Sequence, residues 1–156
     1  MGMKVDMPVA SLLGCGSRRR WSPTVAAVRA EVSRQLAVRH LEGVGEDALL
    51  VVTELLSNAV RHGEPPWRAG IRFVGGRDGR CLVRLEVEDA GPAIDVERVR
   101  AHWRHPSFTL DGGGRGLYLV DALARSWGDK PSRGGHTVWA ELDIPPYAPR
   151  QASERC

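Results

Sequence analysis

Glu54-Leu55-Leu56-Ser57-Asn58-Ala59-Val60-Arg61-His62 closes a long apolar run, with polar side chains set where a core is expected. Glu54, Asn58 and His62 are spaced i, i+4 and i+8, so a helix carries them along one stripe. That helix is predicted over residues 46–62. Its centre, Leu49-Leu50-Val51-Val52 through Leu55-Leu56 and Ala59-Val60, is apolar almost all round, which argues for packing on more than one side. Gly63 then suits a left-handed cap, and Glu64-Pro65-Pro66 prevents continuation. A partly buried carboxylate needs a partner or a task, because burying it unpaired is costly. Glu54 suits a general base. Asn58, through its amide oxygen, suits a hard cation such as magnesium, which takes few protein ligands. The same stripe also reads as the solvent face of an amphipathic helix.

Three further motifs follow along the chain. Asp89-Ala90-Gly91-Pro92 ends a predicted strand. It reads as an ordinary turn, or as an acidic acceptor for an exocyclic amine with Gly91 letting a flat base approach the backbone. Gly112-Gly113-Gly114-Arg115-Gly116-Leu117 precedes a predicted helix. Free amides and the helix dipole favour an anion at such a place, and Arg115 can fork onto phosphate oxygens. The run is neither a P-loop nor a dinucleotide fingerprint; a mobile loop with a helix cap is the other reading. Gly134-Gly135-His136-Thr137-Val138 leads into the last predicted strand, either as a plain hairpin turn or with Thr137 offering a hydroxyl to a bound base.

Around these motifs the pattern is mixed. Ser22-Pro23 marks a helix start, and Val25, Val28, Val32, Leu36 and Leu41 give a helix over residues 24–41. Strands are predicted at 71–74 and 81–88, joined as a hairpin by a glycine-rich linker. In the second, Val83, Leu85 and Val87 alternate with Leu82, Arg84, Glu86 and Glu88. A short helix is expected at 95–103, a loop at 104–114, a helix at 116–127 and a strand at 137–144. Residues 1–20 form an N-terminal extension with an edge strand at 9–13, residues 21–145 one domain, and residues 146–156 a tail. Helices with mostly antiparallel strands make an α+β two-layer sandwich.

Composition agrees with this size and class. The 156 residues are 42% hydrophobic and 26% charged, enough for one core. No run approaches the ~20 apolar residues of a membrane span, and the start lacks a signal peptide's layout, so a cytoplasmic protein is expected. The net charge of +3 is scattered apart from Arg18-Arg19-Arg20; that run reads as a solvated face, with nucleic-acid binding as the minor reading. Cys15, Cys81 and Cys156 match no zinc spacing and no disulfide framework.

Taken in order, Glu54 to Ala59 with His62, Asp89 to Pro92, Gly114 to Leu117 and Gly135 to Val138 resemble the four-box signature of the GHKL ATPases. Among these the chain most resembles the stand-alone anti-sigma factor serine kinases, the RsbW/SpoIIAB-like group, over about residues 20–144. The resemblance implies the Bergerat fold of the histidine-kinase-like ATPases, with ATP and Mg2+ as cofactors. By matching position it implies Glu54 as catalytic base and Asn58 as magnesium ligand. It places His62 in the nucleotide-binding box, and not as a phosphoacceptor. Asp89 would accept from the adenine amine beside Gly91. Gly114, Arg115, Gly116 and Leu117 would lie at the phosphates. Residues 103–114 would form a short lid, and Thr137 would support water at the adenine. His136 stands where many close relatives have lysine. The implied activity is phosphorylation of a serine on an anti-anti-sigma partner, together with sequestration of a sigma factor; relatives commonly form homodimers. The alternative is a non-catalytic ATP-binding regulatory module acting through protein–protein contact. No nucleic-acid or membrane partner is implied.

Overall fold

A computed structural model describes residues 24–75, 80–109 and 115–145. The 1–20 extension with its expected edge strand, Ser22-Pro23, Gly112 to Gly114 and the 146–156 tail lie outside the described residues. Helix α1 (Val25–Ala37) starts at Thr24, whose side chain accepts from the Ala27 amide at 3.2 Å. It buries Val28, Val32 and Leu36. It stops four residues short of the predicted end. His40 takes φ 55°, and the Leu41 amide bonds back to the Leu36 carbonyl at 3.0 Å. That Schellman-type closure turns Leu41 into the core instead of prolonging the helix.

A 3-10 turn (Glu42–Val44) leads into helix α2 (Gly45–His62). Glu46 and Asp47 open it, and Arg61 and His62 close it, which matches the helix dipole. Ala48, Val51, Val52, Leu55, Leu56 and Ala59 are buried at helical spacing, each larger side chain contributing about 1.5–3 kcal/mol of apolar burial. The helix touches α1, the fourth helix and the sheet, so packing on several sides holds. Leu50 and Val60 nevertheless remain exposed. Gly63 is not a left-handed cap: its φ is −93° with extended ψ. It is small for another reason, since a Cβ there would lie 2.4 Å from the Asp89 carboxyl carbon.

The strands are β1 (Arg68–Gly75), β2 (Cys81–Asp89), β3 (Ser126–Ser132) and β4 (Gly135–Asp143), in the order β1-β2-β4-β3, all neighbours antiparallel. Helix α3 (Val96–Trp103) and helix α4 (Arg115–Leu123) lie between β2 and β3 in the chain. The expected helix at 116–127 therefore ends early, and Trp127 reaches the core from a strand. Cross-strand partners share a face. Ile71, Phe73, Val83, Leu85, Val87, Val138, Ala140 and Leu142 form the inner one, packed with the helices. This is the expected α+β two-layer arrangement, with helices over one side of a four-stranded sheet.

The outer face is ionic. Glu86 meets Arg72 at 2.8 Å, Arg84 at 2.9 Å and Lys130 at 2.8 Å, and Arg84 also bonds Glu141 at 2.7 Å. Arg84 further lies over the Trp139 ring, 4.2 Å from its centroid. Burial disfavours the charged form of Glu86, but hydrogen bonds from Lys130 and Arg84 and the charge of Arg72 prevail, holding its carboxyl below the ordinary 4.5. A lowered folded-state value contributes stability above the unfolded value, and that contribution is lost as pH falls through the folded one. Resistance of wild type to chemical denaturation should therefore decline on acidification below about pH 4.5. Glu86→Gln should show a shallower decline; an unchanged slope would remove Glu86 from the acid response.

Cys81 is disulfide-bonded, against the expectation of no disulfide framework. Among the described residues, no helix is long and apolar enough to cross a membrane.

Candidate functional site

A cavity of about 370 Å³ opens where α2, α3 and α4 meet. Helix α2 lines it with Glu54, Ser57, Asn58, Arg61 and His62, the stripe read from the sequence and its immediate helical neighbours. Helix α3 supplies Arg98, Val99, His102 and Trp103, while α4 supplies Gly116 and Leu117. Asp95 caps α3 by accepting from the Arg98 amide at 3.0 Å. The Trp103 ring meets Tyr118 edge-on at 5.5 Å and Trp127 at 6.2 Å, fixing the end of α3 against α4 and β3.

Glu54 is aimed at the first turn of α4. A Cβ on Gly116 would lie 2.7 Å from Glu54 Oε2, so glycine is what admits the carboxylate at this point. The cavity thus holds one carboxylate, Glu54, against two arginines, Arg61 and Arg98, with His62 and His102 nearby. Neither arginine forms an ion pair among the described residues. A surplus of guanidinium in a concave site favours a phosphate-bearing ligand. Asn58 adds a neutral oxygen of the sort that magnesium accepts. Among the described residues, no group of three or more His, Cys, Asp or Glu is arranged to hold a metal ion.

The structure divides the sequence-derived residues into two sets. Glu54, Asn58, His62, Gly116 and Leu117 share the cavity; Arg115 is exposed at the start of α4 and does not line it. Gly114 lies outside the described residues. Asp89 and Gly91 sit at the end of β2, under the turn that follows α2. Asp89 is 3% exposed. Its Oδ1 accepts from the Gly91 amide at 2.7 Å and the Glu64 amide at 3.4 Å. Oδ2 is 3.1 Å from His136 Nε2. Thr137 pairs with Glu88 and Lys130 and so belongs to the outer row of the sheet. The residue that stands beside Asp89 is therefore His136, not Thr137. Sequence reading also left out Arg98, Val99 and His102, whose i, i+1 and i+4 spacing on a short helix was the available signal. Asp129 was missed as well, because it lies on an unpredicted strand.

This chain belongs to the histidine kinase-like ATPase domain family, which it matches over residues 22–142. The fold above is that of a domain of this kind. The chain is 29% identical over 83 residues to the serine-protein kinase RsbW of Oceanobacillus iheyensis, a match covering 50% of this chain and 52% of that protein. The aligned stretch thus spans about half the length of that curated relative. Among solved structures, the histidine kinase domain of the Erythrobacter litoralis EL346 blue-light activated histidine kinase is 16% identical, with TM-score 0.41, covering 87% of this chain and 68% of that one. Full-length ShkA in complex with AMPPNP is 18% identical, with TM-score 0.44, covering 86% and 33%.

Proposed function

We propose that this chain binds ATP with magnesium and transfers the γ-phosphoryl group to a serine of an anti-anti-sigma partner, and that it also binds and inhibits a sigma factor. The observation that carries the reading is the placing of Glu54 and Asn58, one turn apart on α2, in a cavity with Arg61 and Arg98. The residues fit the group: guanidinium for phosphate, an amide oxygen for the cation, and a carboxylate left for the hydroxyl. Asn58 would hold the magnesium, which supplies charge neutralisation at the phosphates. Arg61, Arg98 and Arg115 would offset the remaining charge. Glu54 would take the serine proton as the new serine O–P bond forms and the bond to the bridging oxygen of ADP breaks. Positioning and electrostatics carry most of such a transfer. Asp89, with Gly91 at its side, would accept from the amino group of the base.

The relative's name is one support for the serine substrate; the partner class rests on the sequence resemblance. A non-catalytic ATP-binding module is the competing reading, and a carboxylate at Glu54 argues against it, since a pure binder has no need of a base. Calorimetry separates the possibilities in order. Wild type should bind ATP with magnesium, and Asp89→Asn should weaken binding about tenfold or more, as expected for loss of a hydrogen bond to a charged acceptor. No binding by wild type would sink both readings. Labelled ATP with candidate partner proteins then distinguishes a kinase, which labels a serine, from a binder, which labels nothing.

A further inference from the structure

The end of the sheet holds a buried row of three ionisable side chains outside the cavity. His136 sits between two aspartates on the inner face, its Nε2 3.1 Å from Asp89 Oδ2 and its Nδ1 2.9 Å from Asp129 Oδ2. All three side chains are at most 5% exposed. Register makes the arrangement: Asp89 is opposite His136 across β2–β4, and Asp129 on β3 is two pairs further along, on the same face. Asp129 is itself held, since its Oδ2 accepts from the Ile94 amide, while its Oδ1 has no hydrogen-bond partner.

We propose that His136, backed by Asp129, is a positioning residue for Asp89 and sets the preference of the nucleotide site for a purine with a 6-amino group. The proposal rests on the reading of Asp89 as base acceptor given above. Two oxygens on Asp89 have different duties. Oδ1 is engaged by the Gly91 and Glu64 amides. Oδ2 has His136 for a neighbour and, with two lone pairs, keeps room for one more donor. Packing narrows the choice further. A Cβ on Gly63 would lie 2.5 Å from either carboxylate oxygen, and one on Gly91 would lie 2.8 Å from Oδ1. The carboxylate thus occupies a slot between two glycines, and His136 Nε2, 3.1 Å from Oδ2, limits how it can turn. An ionised carboxylate only accepts. Held in one orientation, it rewards an amine at that position and repels a carbonyl oxygen. Asp129 matters because a histidine with one nitrogen anchored cannot turn its ring away. The row therefore runs from the Ile94 backbone through Asp129 and His136 to the group that reads the base.

The test compares ATP with inosine triphosphate, which carries a 6-keto oxygen in place of the amine, by calorimetry with magnesium. Wild type should prefer ATP by about a hundredfold, the order that one hydrogen bond to a charged acceptor supplies. His136→Gln should cut that ratio about tenfold while leaving inosine triphosphate affinity within about threefold, and Asp129→Asn should move the ratio the same way by less. A merely structural role would weaken both nucleotides together. Retention of the full ratio by folded His136→Gln overturns the proposal and leaves the ATP-binding reading standing. If His136→Gln does not fold, Asp129→Asn decides alone, and an unchanged ratio overturns the proposal. Failure of wild type to bind either nucleotide overturns this proposal and the underlying reading together.

Discussion

Glu54→Gln is expected to bind ATP with magnesium within a few-fold of wild type and to lose phosphotransfer by about 10²–10⁴-fold, the usual contribution of a positioned general base. The substitution keeps the volume and one oxygen but removes the proton acceptor. Glu54 lines the cavity beside Asn58 and leans onto Gly116, so its loss should fall on turnover and not on affinity. Single-turnover labelling of a partner serine, with binding measured separately, reads the two effects apart. Gly116→Ala gives a complementary view. The added Cβ would meet Glu54 Oε2 at 2.7 Å, at the flexible end of a side chain. Folding should be little changed while the carboxylate is pushed aside, so transfer should fall without a matching drop in thermal midpoint. Equal transfer by Glu54→Gln would take Glu54 out of the chemistry.

Gly135→Ala should be among the most destabilising single changes available in this chain. Gly135 opens β4 with φ 157°, and a Cβ there would stand 2.1 Å from the Asp89 carbonyl oxygen and 2.6 Å from the Ala90 Cα. Both are backbone atoms paired into the sheet or its turn, so neither can swing away. The strands must separate at the place where Asp89 meets His136. A cost of about 3 kcal/mol or more is expected, a large part of a typical domain's stability, lowering the thermal midpoint by roughly 6–12 °C for a chain of this size. Gly70→Ala in β1 is the control, because nothing lies within 4 Å of its added Cβ. Similar midpoints for the two variants would show that the β2–β4 register yields easily.

The legible parts of the fold were those whose signal is local. Helix α2 was readable because its apolar period and its polar stripe belong to one segment, and the same stripe now lines the cavity. Strand β2 was readable from strict alternation, with Val83, Leu85 and Val87 fully inward. Strand β3 was hidden by two coincidences. Leu117, Val120, Ala124 and Trp127 continue a helical spacing straight through the turn that ends α4. The strand itself, Ser-Trp-Gly-Asp-Lys-Pro-Ser, has no β-branched residue, and its Pro131 is tolerated because β3 lies at the sheet edge. Losing β3 also lost Asp129, and with it the reason for a histidine at position 136. Thr137 offers a hydroxyl that the sequence suggests for a bound base, while register sets His136 beside Asp89. The side of a strand on which a residue lies depends on register, and one residue's shift exchanges the two faces.

The salt-bridged outer face has a consequence for how this domain can be built upon. Glu86 is shared by Arg72, Arg84 and Lys130, and Arg84 is shared with Glu141. A greasy surface laid over that side would strip water from five linked charges at once, a cost that its own apolar contact would have to exceed. The sheet is therefore finished on that side: a third layer has no purchase there, and any neighbour that settles on it must arrive with a matching pattern of charge.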